Sequence, residues 1–165
     1  VTSAVTFRIC GYSGQYGGHK TSLRAFKLSA DPALVQTGFN QWKFDHGLPA
    51  TTAADSDADN DGIPLLLEYA LHLDPTTASA TGLPFGAISN NSLTLTYTKV
   101  KAATDITYAA EVTGAVTGLW SPSPSEVEQA WLVADQGETE AVTARDKTAV
   151  SNASSRFIRM KVIQP

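Results

Sequence analysis

The chain has 165 residues, 42% of them hydrophobic, and a net charge of −4, the length of one ordinary domain or two small ones and the balance of a soluble globular protein. The 12 Lys and Arg residues are scattered and form no stripe, which argues against a nucleic-acid partner. No apolar run approaches the roughly 18 residues of a membrane span.

Charged residues make up only 17% while Thr, Ser, Ala and Gly abound, a composition that suits β-strands joined by small polar turns and is common in secreted proteins. No charged-then-apolar amino end marks a signal peptide, and a chain beginning at Val1 reads as a mature or excised segment. An extracellular or cell-surface location is expected.

Residues 1–30 read as a β-hairpin. Val5 to Tyr12 alternates, a glycine-rich break follows through Gly18, and Ser22 to Ser29 alternates again. Cys10 is the only cysteine, which excludes an intrachain disulfide. It reads as a strand residue, with an intermolecular disulfide as the alternative. A lone hairpin is marginal in water, so these strands either join the carboxyl-terminal sheet or pair with a neighbouring chain by strand addition.

Residues 31–75 form the second expected segment. Leu34, Val35, Phe39, Trp42 and Phe44 suggest a short amphipathic helix ending at Gly47. The run from Asp57 to Glu68 then matches D-x-[DN]-x-[DN]-G-x5-E, the calcium-loop pattern, at every specified position. Calcium takes roughly six to eight oxygen ligands, and alternating carboxylates converge them. Asp57, Asp59 and Asp61 supply positions 1, 3 and 5 of the pattern, the Ile63 carbonyl position 7, and Glu68 a bidentate carboxylate at position 12. Gly62 suits the sharp turn at position 6, and Pro64 suits the start of the apolar helix that carries Glu68. A solvated acidic turn is the simpler reading, but such turns seldom combine this spacing with the glycine and the distal glutamate.

The loop departs from the paired EF-hand. Gly47, Pro49 and residues 50–54 interrupt any helix entering it, and Pro64 lacks the N–H needed for the strand pairing that couples two hands. The loop resembles the solitary calcium loops of dockerins and thrombospondin type 3 repeats, a likeness that implies structural Ca2+ and no sensor switch.

Asp74-Pro75 stops the helix, and residues 76–91 read as a polar connection. Residues 92–165 show strand patterns at Leu93 to Thr98, Ile106 to Val112, Trp131 to Val133, Glu140 to Ala144 and Phe157 to Val162. Turn signals separate them. The expected fold is mainly β: an antiparallel Ig-like or fibronectin-like β-sandwich preceded by the hairpin and the short helical calcium-loop region.

On Phe39, Trp42, His46 to Ala50, Asp57 to Pro75, Asp105 to Val112, Trp120 and Arg156 to Val162, the chain resembles the carboxyl-terminal region of large secreted bacterial modular proteins. The amino-terminal hairpin is similar to the last two strands of their β-sandwich modules. The resemblance implies a calcium-stabilised structural or assembly module, self-associating or bound to other surface proteins, with a fibre subunit formed by strand pairing between subunits as its sharper form. The alternative is a carbohydrate-binding accessory module with Trp120 and Trp131 stacking on a glycan, although such residues more often serve a core. No histidine or serine pattern supports zinc or nucleophilic chemistry, so no enzymatic activity is expected.

Overall fold

A computed structural model describes residues 37–165, all within a unit that spans Val35–Pro165. The expected hairpin at 1–30, Cys10 and the first residues of the amino-terminal helix lie outside the described residues. The described part is mainly β, with helices α1 (Gly38–Asp45) and α2 (Leu65–Leu71) and strands β1 (Phe85–Ser89), β2 (Ser92–Val100), β3 (Thr107–Thr113), β4 (Val127–Asp135), β5 (Thr139–Ala149) and β6 (Phe157–Ile163).

The strands form two antiparallel sheets, one ordered β1-β2-β5-β4 and one pairing β3 with β6. Alternation selects the faces that meet. Leu95 and Tyr97 of β2 and Val142 of β5 cluster with Tyr108, Ile158 and Met160 from the other sheet. Ala110 and Val112 of β3 meet Val127 and Ala144 in the same way. Burying these faces against each other is what holds the sandwich-like arrangement together.

Two local differences from the sequence reading have physical causes. Strand β1 lies within the segment expected to be a polar connection. It is exposed along nearly its whole length, so neither face imposes the alternation that marks a half-buried strand. What forms it is the turn that follows: Asn90 and Asn91 both adopt left-handed backbones, with φ of 48° and 60°. This is the two-residue hairpin geometry that matches strand twist, and Ser89 and Ser92 close it. Strand β4 is longer than the Trp131 to Val133 core of its pattern, because its register shifts between Glu128 and Leu132 and the alternation breaks there.

At that irregularity Gln129 takes over the work of a ladder. Its side-chain amide donates to the Ala110 carbonyl at 2.9 Å and accepts from the Ala110 N–H at 2.7 Å. A side chain from one sheet thereby satisfies the open edge of β3 in the other. An ion pair reaches inward at the same end: Asp146 is completely buried and accepts from Nε at 2.6 Å and Nη2 at 2.9 Å of the partly exposed Arg156.

The helical region sits against β3 and the β2–β3 loop. Phe39, Leu65, Tyr69 and Ala70 form a cluster with Ala103 and Ile106. Helix α1 ends as its sequence suggests, with Gly47 at φ 72° and the Leu48 N–H returning to the Lys43 carbonyl at 2.8 Å. Lys43 itself is buried and donates to the carbonyls of Ala50 and Thr52, at 2.7 and 3.0 Å. It thus fixes the path of the small-residue run that leads into the acidic loop.

Asp105, in the β2–β3 loop, joins both helices to the sandwich. One of its oxygens accepts from the Phe39 N–H at the start of α1, the other from the Tyr69 hydroxyl on α2, each at 2.7 Å. Gly38 has φ 58°, and a Cβ there would run into the Asp105 carboxylate. Asp105→Ala removes two bonds to a charged acceptor and leaves the Tyr69 hydroxyl buried without a partner. The expected loss is about 2–4 kcal/mol of unfolding free energy in urea titration, with a smaller loss for Asp105→Asn, which keeps one acceptor.

Candidate metal centre

The acidic loop folds around its own backbone donors. Asp57 Oδ1 accepts from the N–H groups of Asn60 at 2.7 Å and Asp61 at 3.2 Å, and Oδ2 from Gly62 at 2.8 Å. Asp59 Oδ1 accepts from the Asp61 N–H at 3.1 Å, and Asp61 Oδ1 from the Ile63 N–H at 2.8 Å. These short-range bonds need the chain to turn back repeatedly. Asn60 and Gly62 allow it, with φ of 65° and 89°.

The result brings Asp57, Asp59 and Asp61 together, with one oxygen of each within 4.8 Å of the others. Among the described residues this triad could hold a metal ion. Ile63 is fastened in the same turn by its bond to Asp61. Asp55 is exposed just upstream.

Glu68 arrives from α2. The first free N–H groups of that helix are taken by the loop itself, Leu65 donating to the Ser56 carbonyl at 2.8 Å and Leu66 to that of Ala54 at 3.0 Å. The loop and the helix therefore form one piece. Glu68 is completely buried, and neither of its carboxylate oxygens has a hydrogen-bond partner. Asp59 Oδ2 is likewise buried and unpartnered.

Such an arrangement is costly for anions, and the titration of the groups reflects it. Burial, reinforced by the charges of Asp59, Asp61, Asp57 and Asp74, pushes the Glu68 carboxyl up to about 7. Loss of hydration also raises Asp59, with the Asp61 and Asp57 charges adding to the effect. Asp57 moves the other way, held low chiefly by the Gly62 N–H. The centre thus contains two carboxylates, Asp57 and Asp61, whose oxygens are satisfied by backbone donors and, at Glu68 and Asp59, oxygens with no donor at all. A cation supplies what they lack, which is the sense in which these residues fit a metal.

Two contacts to the centre carry no sequence motif. The Ser79 N–H donates to Asp61 Oδ2 at 2.7 Å, from 18 residues along the chain. Asp74, which the sequence marks only as a helix stop, adds to the field on Glu68. A backbone donor is independent of side-chain identity, so Ser79 leaves no signal.

Of the two tryptophans considered for glycan stacking, Trp120 lies in the connection between β3 and β4 and Trp131 on β4. The Arg159 guanidinium lies 4.2 Å over the Trp120 ring, and that of Arg145 lies 4.9 Å over Trp131. One face of each ring is thus covered by a cation.

The fold and the loop define a mainly β, antiparallel domain with an acidic centre able to hold a metal ion. Comparison with protein-family models, curated proteins and solved structures finds no match to this chain. Its function is accordingly argued from the centre itself. Among the described residues no helix is long and apolar enough to cross a membrane.

The raised Glu68 carboxyl has a signed consequence for the metal-free protein. Its folded value of about 7 exceeds the ordinary 4.5, so the folded state holds a proton that the unfolded state releases. The associated stability is full below about pH 4.5 and is lost as pH rises through about 7. Melting temperatures in chelator should fall over that interval, and Glu68→Gln should flatten the fall. An unchanged slope in the variant would assign the titration to another group.

Proposed function

We propose that the protein is an extracellular, calcium-stabilised structural module that assembles with copies of itself or with other surface proteins. Asp57, Asp59 and Asp61, the Ile63 carbonyl and Glu68 act as the calcium ligands. The observation that carries the calcium reading is the buried, unpartnered Glu68 carboxylate beside three converging aspartates. The donor set is all oxygen, with no Cys or His, which suits a hard cation. Calcium's tolerance of irregular geometry favours it over magnesium, which demands a near-ideal octahedron and keeps its waters.

The ion's role is to fix geometry. The loop, α2 and residue 79 share bonds, and α2 packs against β2 through Leu71. Holding the loop therefore holds the join between the helical region and the sandwich. The broken approach through residues 47–54 lacks the long entering helix that a sensor swings open. A fibre built by strand pairing between subunits is the form of assembly that the sequence resemblance suggests.

Calcium should bind with an exothermic or proton-linked signal in titration calorimetry. At 100 times its dissociation constant it should add about 2.7 kcal/mol of stability. Asp59→Ala and Glu68→Gln should each weaken binding at least tenfold, and Glu68→Gln should raise the stability of the metal-free form near pH 7. A melting temperature indifferent to both calcium and EDTA, with no heat of binding, rejects the proposal.

A further inference from the structure

The described strands leave several sheet edges, and all but one are protected. The β3 edge is occupied by Gln129 at Ala110 and by the Val112–Ser121 bridge. Strand β4 carries a register shift and the charges Glu128 and Asp135. Strand β6 alternates Arg159 and Lys161 along its exposed face. These are the devices by which proteins prevent edge-to-edge pairing.

Strand β1 has none of them. Its sequence, Phe85-Gly86-Ala87-Ile88-Ser89, contains no charge and no proline, among the described residues it pairs only with β2, and Phe85 and Ile88 are 61% and 67% exposed.

The hairpin turn fixes which backbone groups are free. Ser89 and Ser92 close a two-residue turn, so Ser89, Ala87 and Phe85 direct their N–H and C=O groups toward β2. The Thr94 hydroxyl donating to the Ala87 carbonyl at 3.1 Å agrees. Gly86 and Ile88 therefore turn theirs outward.

We infer that β1 is the site at which a second copy of this chain adds, β1 against β1, antiparallel and centred on Ala87. In that register Gly86 faces Ile88 of the second copy and Ile88 faces its Gly86. All the outward N–H and C=O groups then pair, and Ala87 meets Ala87 across a two-fold axis. The occupant is argued from self-complementarity. An uncharged strand meets no like-charge repulsion from its own copy, and the side-chain-free Gly86 stands opposite the bulky Ile88. So short a pairing buries far less than the roughly 1,000 Å² of a stable interface, so the association is weak and concentration-dependent unless other contacts extend it. The inference deepens the assembly part of the proposed function and is independent of calcium.

The test uses the full chain with Cys10→Ser, leaving no native thiol. Oxidation of Ala87→Cys in this background should give a covalent dimer, since facing residues at such a position bring their Cα atoms to about 4.5–5.5 Å, within disulfide range. Leu132→Cys, on the 55% exposed Leu132 of β4, should give at least tenfold less. In sedimentation equilibrium Ala87→Lys, which sets like charges face to face, should weaken association at least tenfold with an unchanged melting temperature. Equal cross-linking at the two cysteines, or association of Ala87→Lys equal to wild type, overturns the β1 register while leaving self-association through another surface standing. A wild-type chain that stays monomeric at every concentration overturns both. Calcium uptake, read separately by calorimetry, bears on neither outcome.

Discussion

Glu68 is a fully buried carboxylate with no hydrogen-bond donor, and much of the helical region is arranged around that fact. Helix α2 cannot turn Glu68 outward without unpacking Leu65, Tyr69, Ala70 and Leu71, which it buries alongside. These side chains reach in different directions: Leu65, Tyr69 and Ala70 into the cluster with Phe39 and Ile106, Leu71 into the sandwich cluster with Leu95 and Tyr97. The apolar packing fixes the helix, and the helix fixes the charge in place. Only protonation or a cation then relieves it.

Tyr108 shows how closely the two regions are tied. Its ring stacks on Tyr97 with centroids 6.0 Å apart, inside the sandwich. Its hydroxyl donates to the Ala70 carbonyl of α2 at 2.8 Å and accepts from the Val100 N–H at 3.2 Å. Burial drives the Tyr108 phenol up to about 12, so it remains a donor across the whole working pH range. With Asp105 bonded to both α1 and α2, the β2–β3 corner is a common anchor for the parts that hold the acidic loop.

Much of this was legible in the sequence because it is local. The Asp-x-Asp-x-Asp-Gly spacing, the proline before α2 and the glycine after α1 each act within one or two turns of chain, and each appears where its residues imply. The sandwich strands were legible wherever one face is buried. Strand β1 was not, since Phe85 and Ile88 are both exposed and no inward face exists to set a period. Gln129 bonding Ala110, Asp105 bonding Phe39 and Tyr69, and Ser79 bonding Asp61 were also not legible. Each joins residues far apart in sequence, and all three use backbone N–H groups that every residue but proline possesses. Burial of Glu68 without a donor is likewise a property of tertiary packing, although its place in the motif pointed to the same residue.

The same connection that hides β1 from sequence patterning also joins it to the acidic centre. It leaves α2 at His72, whose left-handed backbone (φ 62°) ends the helix, and buries Pro75. At Ser79 it is clasped by the Asp61 carboxylate. At Gly82, with φ 81°, a Cβ would come within 2.9 Å of the Leu73 side chain, so the connection doubles back on its own beginning through a position that requires glycine. Five residues separate Ser79 from Phe85. The acidic centre and the one unguarded strand among the described residues thus lie at two ends of a single short segment that is fastened at Ser79 and Gly82.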